Sequence, residues 1–366
     1  MIGQVVDSRY EIVELLGQGG MGSVYEAQDV ETGRRVALKR VSAEIIAKSA
    51  VLAARFQREA KASAAVVSEH IVQVLDAGLD APSGQPYMVM ELLRGENVRT
   101  LLRRVGALPP QLAVRIGVQT CMGLHKAHEG GVVHRDIKPA NLFLTQGEGN
   151  RLVVKLLDFG VAKVKMDQVD GADAEALTRT GSLLGSPLYM SPEQARGLKT
   201  IDHRADLWSL GVVLYQLLSR RAPLEGIESL GGLIVSICSD EPAPLRQHAP
   251  WVPPKLAEVV HGALKLDPAR RFQTAAQMLD ALRGCLVGTP EIHSGMLVGL
   301  SEQQRTAMAA QHESGAPGEG GQAATIALDG SADLIVLEPG AAAAAAEPAA
   351  GRDGTVVLAE PALPAP

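Results

Sequence analysis

The sequence predicts an α+β protein with two lobes, a small antiparallel sheet followed by a larger helical part. Three observations support this prediction. Short strand-like segments punctuated by glycine run from Tyr10 to about Val41. Helical periodicity dominates from about Val98 to His128 and again from Asp206 to the early 280s. None of the eleven aromatic residues lies in 288–366, which marks that stretch as a separate region.

The small lobe is predicted over residues 8–91. The segments YEIVELLG, SVYEAQD and RRVALKRV, with a turn at Thr32-Gly33, indicate an antiparallel meander. Residues 43–67 are rich in alanine and have helical spacing, so they predict the one main helix of this lobe. Two further strands, IVQVLDAG and PYMVMELL, complete the predicted sheet.

The larger lobe is predicted over residues 94–284, with a late helix starting at Asp267-Pro268.

From 288 onward Gly, Ala and Pro dominate, and ten acidic residues stand against two arginines. Such a composition buries too little apolar surface to offset the entropy of ordering, so we predict a disordered acidic tail over 288–366. Since the whole chain has a formal net charge of −6, residues 1–287 are close to neutral. That balance argues against nucleic-acid partners and anionic membrane surfaces.

Several protein classes are excluded by simple features. Three widely spaced cysteines (Cys121, Cys238 and Cys285) form neither a disulfide framework nor a metal-ligand pattern. No run of about 18 apolar residues predicts a membrane span, and the N-terminus lacks the basic and apolar regions of a signal peptide. We therefore expect a cytoplasmic protein.

The first chemical motif is a glycine hairpin. Residues 17–24 read GQGGMGSV, a pattern in which Gly17, Gly19 and Gly22 let the backbone fold over phosphates. A hairpin without ligand and a Rossmann turn are alternatives, but the latter requires a helix where a strand is predicted here. Lys39, in VALK, is placed to reach the phosphates if a carboxylate holds it, and Glu59 on the predicted helix is our candidate.

The decisive segments are HRDIKPAN over residues 134–141 and DFG over residues 158–160. Together with GGMGSVYEA and SPEQARG, these motifs resemble the protein kinases, and specifically the bacterial eukaryotic-like serine/threonine protein kinases. The resemblance covers about residues 8–284. It implies a bilobal protein-kinase fold, ATP and Mg²⁺ as cofactors with Mn²⁺ as an alternative, and serine or threonine hydroxyls of proteins as acceptors.

Transfer of a γ-phosphoryl group requires cations, anions that hold Mg²⁺ and an acceptor for the hydroxyl proton. Asp136 is the candidate proton acceptor, and Lys138 is the candidate cation for the transferred group. Asn141 and Asp158 offer the hard oxygen ligands that Mg²⁺ prefers. The resemblance makes His134 a core residue packed on Phe159 rather than a base.

The resemblance also implies a purine slot between the lobes. It assigns Met90 to the gatekeeper position and Glu91 to Leu93 to the hinge that bonds the adenine. The apolar walls of the slot would be Leu16, Val24, Ala37 and Phe143.

The segment from Asp158 to Glu193 is predicted to be regulatory. Thr178 and Thr180 are the candidate autophosphorylation sites, because Arg135 precedes the catalytic aspartate and can pair with a phosphate. Two roles in this region are structural: Glu193 is expected to pair with Arg271, and Asp206 to support the catalytic-loop backbone.

Two functional alternatives are weighed against an active kinase. A pseudokinase scaffold would lack one of Lys39, Asp136, Asn141 and Asp158, and all four are present. A small-molecule phosphotransferase would not need a phosphorylatable loop or the SPE and DLWSLG segments.

The tail gives a further hypothesis. Thr325 and Thr355 each have a leucine three residues later, a pattern similar to the phosphothreonine ligands of forkhead-associated domains. We therefore include forkhead-associated-domain proteins among the predicted partners, alongside a homodimer.

Overall fold

The structure is a computed structural model that describes residues 1–19, 22–42, 60, 64–159, 187–227 and 229–313. It has the predicted two lobes, a sheet-rich small lobe and a helical large lobe, and this confirms the predicted fold class.

Six antiparallel strands form the small lobe, in the spatial order β1-β2-β3-β4-β6-β5. Their bounds are β1 Val5–Val6, β2 Tyr10–Gly19, β3 Gly22–Asp29, β4 Arg35–Val41, β5 Val74–Leu79 and β6 Pro86–Glu91. The predicted meander corresponds to β2, β3 and β4, and Gly33 adopts a positive φ of 70° at the predicted turn. One face of the sheet packs Tyr10, Tyr25 and Tyr87 together, while the other faces the large lobe.

Of the helix predicted over 43–67, only Ala60 and Ala64 are described as helical, and Glu59 lies outside the described residues.

The large lobe is built around two long helices, α2 and α4, whose apolar sides form its core. The helices described are α1 Val98–Val105, α2 Pro110–Glu129, α3 Pro192–Ala195, α4 Arg204–Ser219, α5 Leu230–Ser239, α6 Leu245–His248, α7 Pro254–Ala263, α8 Ala275–Arg283 and α9 Glu302–Glu313. Trp208, Tyr215 and nearly all other residues of α4 are buried, so this helix is the central support of the lobe.

A second sheet lies at the junction of the lobes and was not predicted. Its strands follow the order β10-β9-β8-β7, with β7 at Gly95–Asn97, β8 at Leu142–Gln146, β9 at Arg151–Leu156 and β10 at Ile292–His293. Strands β8 and β9 form the antiparallel hairpin between the catalytic-loop motif and Asp158. The hairpin thus fixes the spacing between these two chemical segments.

The predicted tail boundary at 288 is wrong. Strand β10 pairs with β9, Ile292 is fully buried, and α9 continues to Glu313. Side chains of α2 hold the segment, because Arg115 donates to the carbonyls of Val287 and Glu291, and Gln119 donates to that of Pro290. Residues 314–366, with Thr325 and Thr355, lie outside the described residues.

The late helix also begins later than predicted. Asp267 caps only a short 3-10 turn, Pro268–Arg270, by accepting a hydrogen bond from the backbone N–H of Ala269. The true helix, α8, is capped by Thr274. Among the described residues, no helix is both long enough and apolar enough to cross a membrane.

Candidate active site

The backbone of the catalytic-loop segment, residues 134–141, is held by the buried carboxylate of Asp206. Asp206 Oδ1 accepts the backbone N–H of Arg135 (2.7 Å), and Oδ2 accepts that of His134 (2.8 Å) and also contacts His128 Nε2 (2.8 Å). Full burial opposes ionisation of Asp206, but the hydrogen bond and charge of His128 outweigh it and keep the pKa of this carboxyl below its ordinary value. The predicted support of the loop by Asp206 is confirmed.

Three predicted catalytic side chains meet within this loop. Lys138 Nζ lies 3.1 Å from Asp136 Oδ2. Asn141 Nδ2 donates to the same oxygen (3.1 Å) and to the backbone carbonyl of Asp136 (2.9 Å). The carboxylate of Asp136 is therefore fixed in direction by a cation and an amide, both on short rigid segments.

The remaining two predicted groups, Lys39 and Asp158, pair with each other between the two lobes. Lys39, on β4 of the small lobe, places its Nζ 2.5 Å from Asp158 Oδ1, on the segment after β9. Asp158 has a left-handed backbone, with φ of 51°, a conformation that costs energy in a non-glycine residue. Lys39 is thus paired with Asp158, whereas the pairing predicted with Glu59 falls on a residue outside the described set.

The donor set suits a hard divalent cation. Asn141 uses its nitrogen toward Asp136, so its amide oxygen is the atom that a cation would take, and Asp158 adds a carboxylate. Within the described ranges, no cluster of three or more His, Cys, Asp or Glu side chains could hold a metal by itself. Mg²⁺ commonly binds through one or two protein oxygens completed by phosphates and water, and this site fits that pattern.

An apolar slot lies beside these charged groups. The predicted purine contacts share one buried cluster, in which each member is at most 9% exposed: Leu16, Val24, Ala37, Met90, Leu93 and Phe143. Leu16 and Val24 come from the glycine hairpin, whereas Phe143 comes from β8 in the large lobe. Residues of both lobes therefore contribute to one apolar cluster at the junction of the lobes.

The glycine hairpin is formed by β2 and β3. Gly17 pairs with Val24 and Gly19 with Gly22 in the register of β2 and β3. Gly22 has φ of 152°, and a Cβ at this position would lie 1.9 Å from the carbonyl oxygen of Arg40. Only glycine fits there, so the close approach of β3 to β4 fixes this member of the motif.

The predicted hinge residue Glu91 is held by both its backbone and its side chain. Its backbone N–H donates to the carbonyl of Gln73 (3.0 Å), and its carboxylate accepts Lys155 Nζ (2.7 Å) and the backbone N–H of Gln73 (2.8 Å). Lys155 lies on β9, three residues before Asp158. The ion pair therefore connects the hinge to the strand that carries the metal-ligand candidate.

His134 is a core residue, as predicted. It is fully buried, its ring centroid lies 4.7 Å from that of Phe159, and its Nε2 contacts the carbonyl of Leu157 (2.8 Å). Burial lowers the pKa of His134 and keeps its ring neutral.

The end of the SPE segment is anchored to the large lobe. Both Arg271 terminal nitrogens contact Glu193, at 2.7 Å and 2.8 Å, in a buried bidentate pair, which confirms the predicted partnership. The Arg271 guanidinium also lies 5.0 Å from the ring centroid of Trp208. Thr178 and Thr180 lie outside the described residues.

Sequence reasoning missed three residues of the site, His128, Lys155 and Gln194. Gln194 had a readable signal, because Ser191 and Gln194 match the S-x-x-Q capping-box pattern that precedes a helix. His128 and Lys155 lie in ordinary helix and strand patterns, and only the tertiary fold shows their partners.

A glycine hairpin, a cation paired with a carboxylate between two lobes and an aspartate beside a lysine are the features expected of a bilobal kinase fold. The sequence profile described as "Protein kinase domain" matches residues 10–281. The chain therefore belongs to the protein kinase family.

Known relatives agree with this assignment. The chain is 36% identical over 313 residues to the serine/threonine-protein kinase PknB of Mycolicibacterium smegmatis, an alignment that covers 84% of this chain and 47% of that protein. It is 35% identical to the serine/threonine-protein kinase pkn3 of Myxococcus xanthus, with 79% of this chain and 53% of that protein covered. The chain thus spans about half the length of these curated relatives.

The fold matches a solved kinase domain. The crystal structure of the Mycobacterium tuberculosis PknI kinase domain superposes with a TM-score of 0.60 at 27% identity, covering 78% of this chain and 98% of that one. The identification as a relative of bacterial eukaryotic-like serine/threonine kinases, expected from the motifs, is confirmed.

Proposed function

We propose that this chain is an active serine/threonine protein kinase that transfers the γ-phosphoryl group of ATP to serine and threonine hydroxyls of proteins. The observation that carries the proposal is that Lys138 Nζ and Asn141 Nδ2 each lie 3.1 Å from Asp136 Oδ2, while Lys39 of the small lobe pairs with Asp158 of the large lobe. A pseudokinase would retain the fold but has no reason to retain this arrangement.

The chemistry follows from the positions of the charges. Asp136 orients the acceptor hydroxyl and takes its proton as the new O–P bond forms and the bond between the β-bridging oxygen and the γ-phosphorus breaks. Lys138 neutralises the negative charge of the group in transit. ADP leaves with the bridging oxygen and its electron pair.

The nucleotide is assigned to the slot by shape and polarity. The purine lies between Leu16, Val24 and Ala37 on one side and Phe143 on the other. Because the N–H of Glu91 is occupied by Gln73, we assign the hydrogen bonds of the adenine to the carbonyl of Glu91 and the backbone of Leu93. Gly17, Gly19 and Gly22 cover the phosphates, and Lys39 binds the α- and β-phosphates with Glu59 as its holder.

A divalent cation completes the site. Asn141 and Asp158 would hold Mg²⁺, or Mn²⁺ in its place, which when bound neutralises charge on the phosphate oxygens. Asp158, which pairs with Lys39 in this structure, would then bind the cation through a carboxylate oxygen.

Regulation by loop phosphorylation is part of the proposal. Phosphate on Thr178 or Thr180 would pair with Arg135, whose guanidinium Nε is buried without a hydrogen-bond partner among the described residues. A signalling role in the cytoplasm, homodimerisation and docking of forkhead-associated-domain proteins remain predictions from sequence.

The decisive experiment is Asp136→Asn. This change preserves volume and the contact with Asn141 but removes the proton acceptor, so we expect transfer to a peptide substrate to fall by on the order of 10² to 10³ or more. Phosphopeptide formation is followed with radiolabelled Mg-ATP, and binding of a fluorescent ATP analogue checks that the site stays formed.

Two outcomes separate the alternatives. Wild-type transfer that Asp136→Asn abolishes, with nucleotide binding retained, supports the kinase. A wild-type protein that binds nucleotide but transfers nothing would instead identify a scaffold.

A further inference from the structure

The side chain of Gln194 bridges two segments that the chemistry must keep together. It lies on α3, directly after Glu193, and is 8% exposed. Its Oε1 accepts the backbone N–H (3.1 Å) and the hydroxyl (3.2 Å) of Ser191. Its Nε2 donates to the backbone carbonyl of Arg135 (2.9 Å) in the catalytic loop. The two halves of one amide therefore have different partners.

The direction of this amide is fixed by chemistry. The backbone N–H of Ser191 can only donate, so the oxygen must face it, and the carbonyl of Arg135 can only accept, so the nitrogen must face that side. Glutamate matches the length of the side chain but offers only acceptors. Among residues of this length, glutamine alone supplies an acceptor for the helix cap and a donor for the loop.

The peptide group that accepts the hydrogen bond from Gln194 belongs to Arg135, the residue before Asp136. Arg135 has a left-handed backbone, with φ of 62°, which costs energy and persists only where neighbours enforce it. Its N–H is held by Asp206 from α4, and its carbonyl is held by Gln194 from α3. The next residue is Asp136, so the direction of its carboxylate depends on this peptide group.

The anchor of α3 is independent of this bond. Glu193 holds Arg271 in a buried bidentate pair on the other side of the helix. Loss of the donor of Gln194 therefore releases the loop without releasing the helix.

We propose that Gln194 is a positioning residue, which aligns the catalytic loop with the end of the activation segment by fixing the Arg135 peptide that precedes Asp136. The inference rests on the proposed kinase function. It assigns to the fourth residue of SPEQ a catalytic-loop role in addition to its helix cap.

The test is Gln194→Glu, which retains an acceptor for Ser191, removes the donor to Arg135 and places a carboxylate oxygen against the carbonyl of Arg135. We expect the single-turnover rate of transfer to a peptide to fall about 10- to 100-fold, the size of effect that a small misplacement of a catalytic group produces. The dissociation constant of Mg-ATP stays within about twofold, because the purine slot and Lys39 do not touch this bond. A purely structural role would change affinity and rate together, or neither.

Ser191→Ala is the matched control, because it weakens the same cap but leaves the bond to Arg135 intact. We expect its rate to stay within about twofold of wild type. Gln194→Met, which is similar in length but lacks donor and acceptor, decides the matter if the glutamate variant does not melt cooperatively. A rate for the variants at Gln194 equal to that of Ser191→Ala overturns the proposal.

Amide hydrogen exchange separates this inference from the proposed function, because it requires no turnover. Exchange of the segment 134–141 should be faster in Gln194→Glu than in wild type and Ser191→Ala. If the wild type transfers no phosphate yet shows this difference, the kinase assignment fails and the tether stands. Unchanged exchange in the glutamate variant refutes the tether.

Discussion

Two buried histidines couple the stability of the molecule to pH. His134 is fully buried, and His70 is 6% exposed with its Nδ1 3.0 Å from the carbonyl of Val154. Burial lowers the pKa of both rings, because it disfavours the imidazolium. The folded protein therefore keeps both rings neutral at a pH where the unfolded chain already binds protons.

The direction of the pH dependence follows from linkage. An unfolded histidine titrates near 6.5, so below about that pH the unfolded state carries more protons and is favoured. We expect the free energy of unfolding to level off near pH 7.5 and to fall from about pH 6.5 toward the lower folded pKa values. Each site contributes at most about 1.4 kcal/mol per pH unit. Urea denaturation at half-unit steps of pH measures the slope.

His70→Asn is the matched variant for this prediction. An asparagine amide can still donate to the carbonyl of Val154 but does not titrate. Below pH 6.5, the slope of the free energy of unfolding against pH should decrease by the amount that corresponds to at most one bound proton. An unchanged slope would exclude His70 as a contributor.

Single residues show how far the sequence could predict the site. The motif residues 134–141 and 158 could be singled out in the sequence because their types and spacing resemble those of the protein kinases, and their catalytic roles stay predictions. The partner of Lys39 was not foreseen, since Asp158 is 119 residues away and only the closed cleft brings the two together. The roles of His128 and Lys155 were hidden for the same reason.

At the scale of elements, the hairpin of β8 and β9 was missed although both strands carry apolar residues. Its strands are only five and six residues long and directly follow the motif 134–141, so the alternation of apolar and polar residues is too short to identify them as strands. The helices were predicted more reliably, because α2 and α4 are long enough to show a full apolar stripe.

The segment 288–313 was misassigned for a physical reason. It has no aromatic side chain, and composition alone suggests that it cannot build a core. The segment packs on the core of the large lobe instead. Ile292 is buried beside β9, and the Arg305 guanidinium lies 5.3 Å from the ring centroid of Trp251. Amino-acid composition indicates whether a segment can build a core by itself. It does not indicate whether the segment packs on the core of the preceding domain, as 288–313 does.

Ile292→Ala tests the importance of this segment. Removing a fully buried isoleucine side chain should lower the free energy of unfolding by about 2 kcal/mol or more, through lost burial and the cavity left behind. Val298→Ala, on a residue that is 52% exposed in the same segment, should change it by less than about 0.5 kcal/mol. Urea denaturation of both variants gives the comparison, and equal values would restore the boundary at 288.

At the scale of the whole molecule, two ion pairs join the lobes at the cleft. Lys39–Asp158 crosses between the small lobe and the segment after β9, and Glu91–Lys155 joins the hinge to β9 itself. Lys155 lies on β9 and Asp158 follows the end of that strand, so both pairs connect the small lobe to the same part of the large lobe. The position of Asp158 therefore depends on contacts with both lobes.

The corrected boundary also changes the experiment on the acidic tail. Deleting 288–366 would remove β10 and α9 and thereby confound stability with docking, whereas deleting 314–366 removes only residues beyond the described fold. A covalently attached substrate meets its own active site at an effective concentration of about millimolar, so we predict autophosphorylation of Thr325 and Thr355. We expect the 314–366 deletion to phosphorylate a peptide at the wild-type rate and to lose capture of a forkhead-associated domain by the autophosphorylated protein. Mass spectrometry after incubation with Mg-ATP supplies the internal control, since phosphate on Thr178 or Thr180 with none on Thr325 and Thr355 would reject the docking role of the tail while leaving loop activation in place.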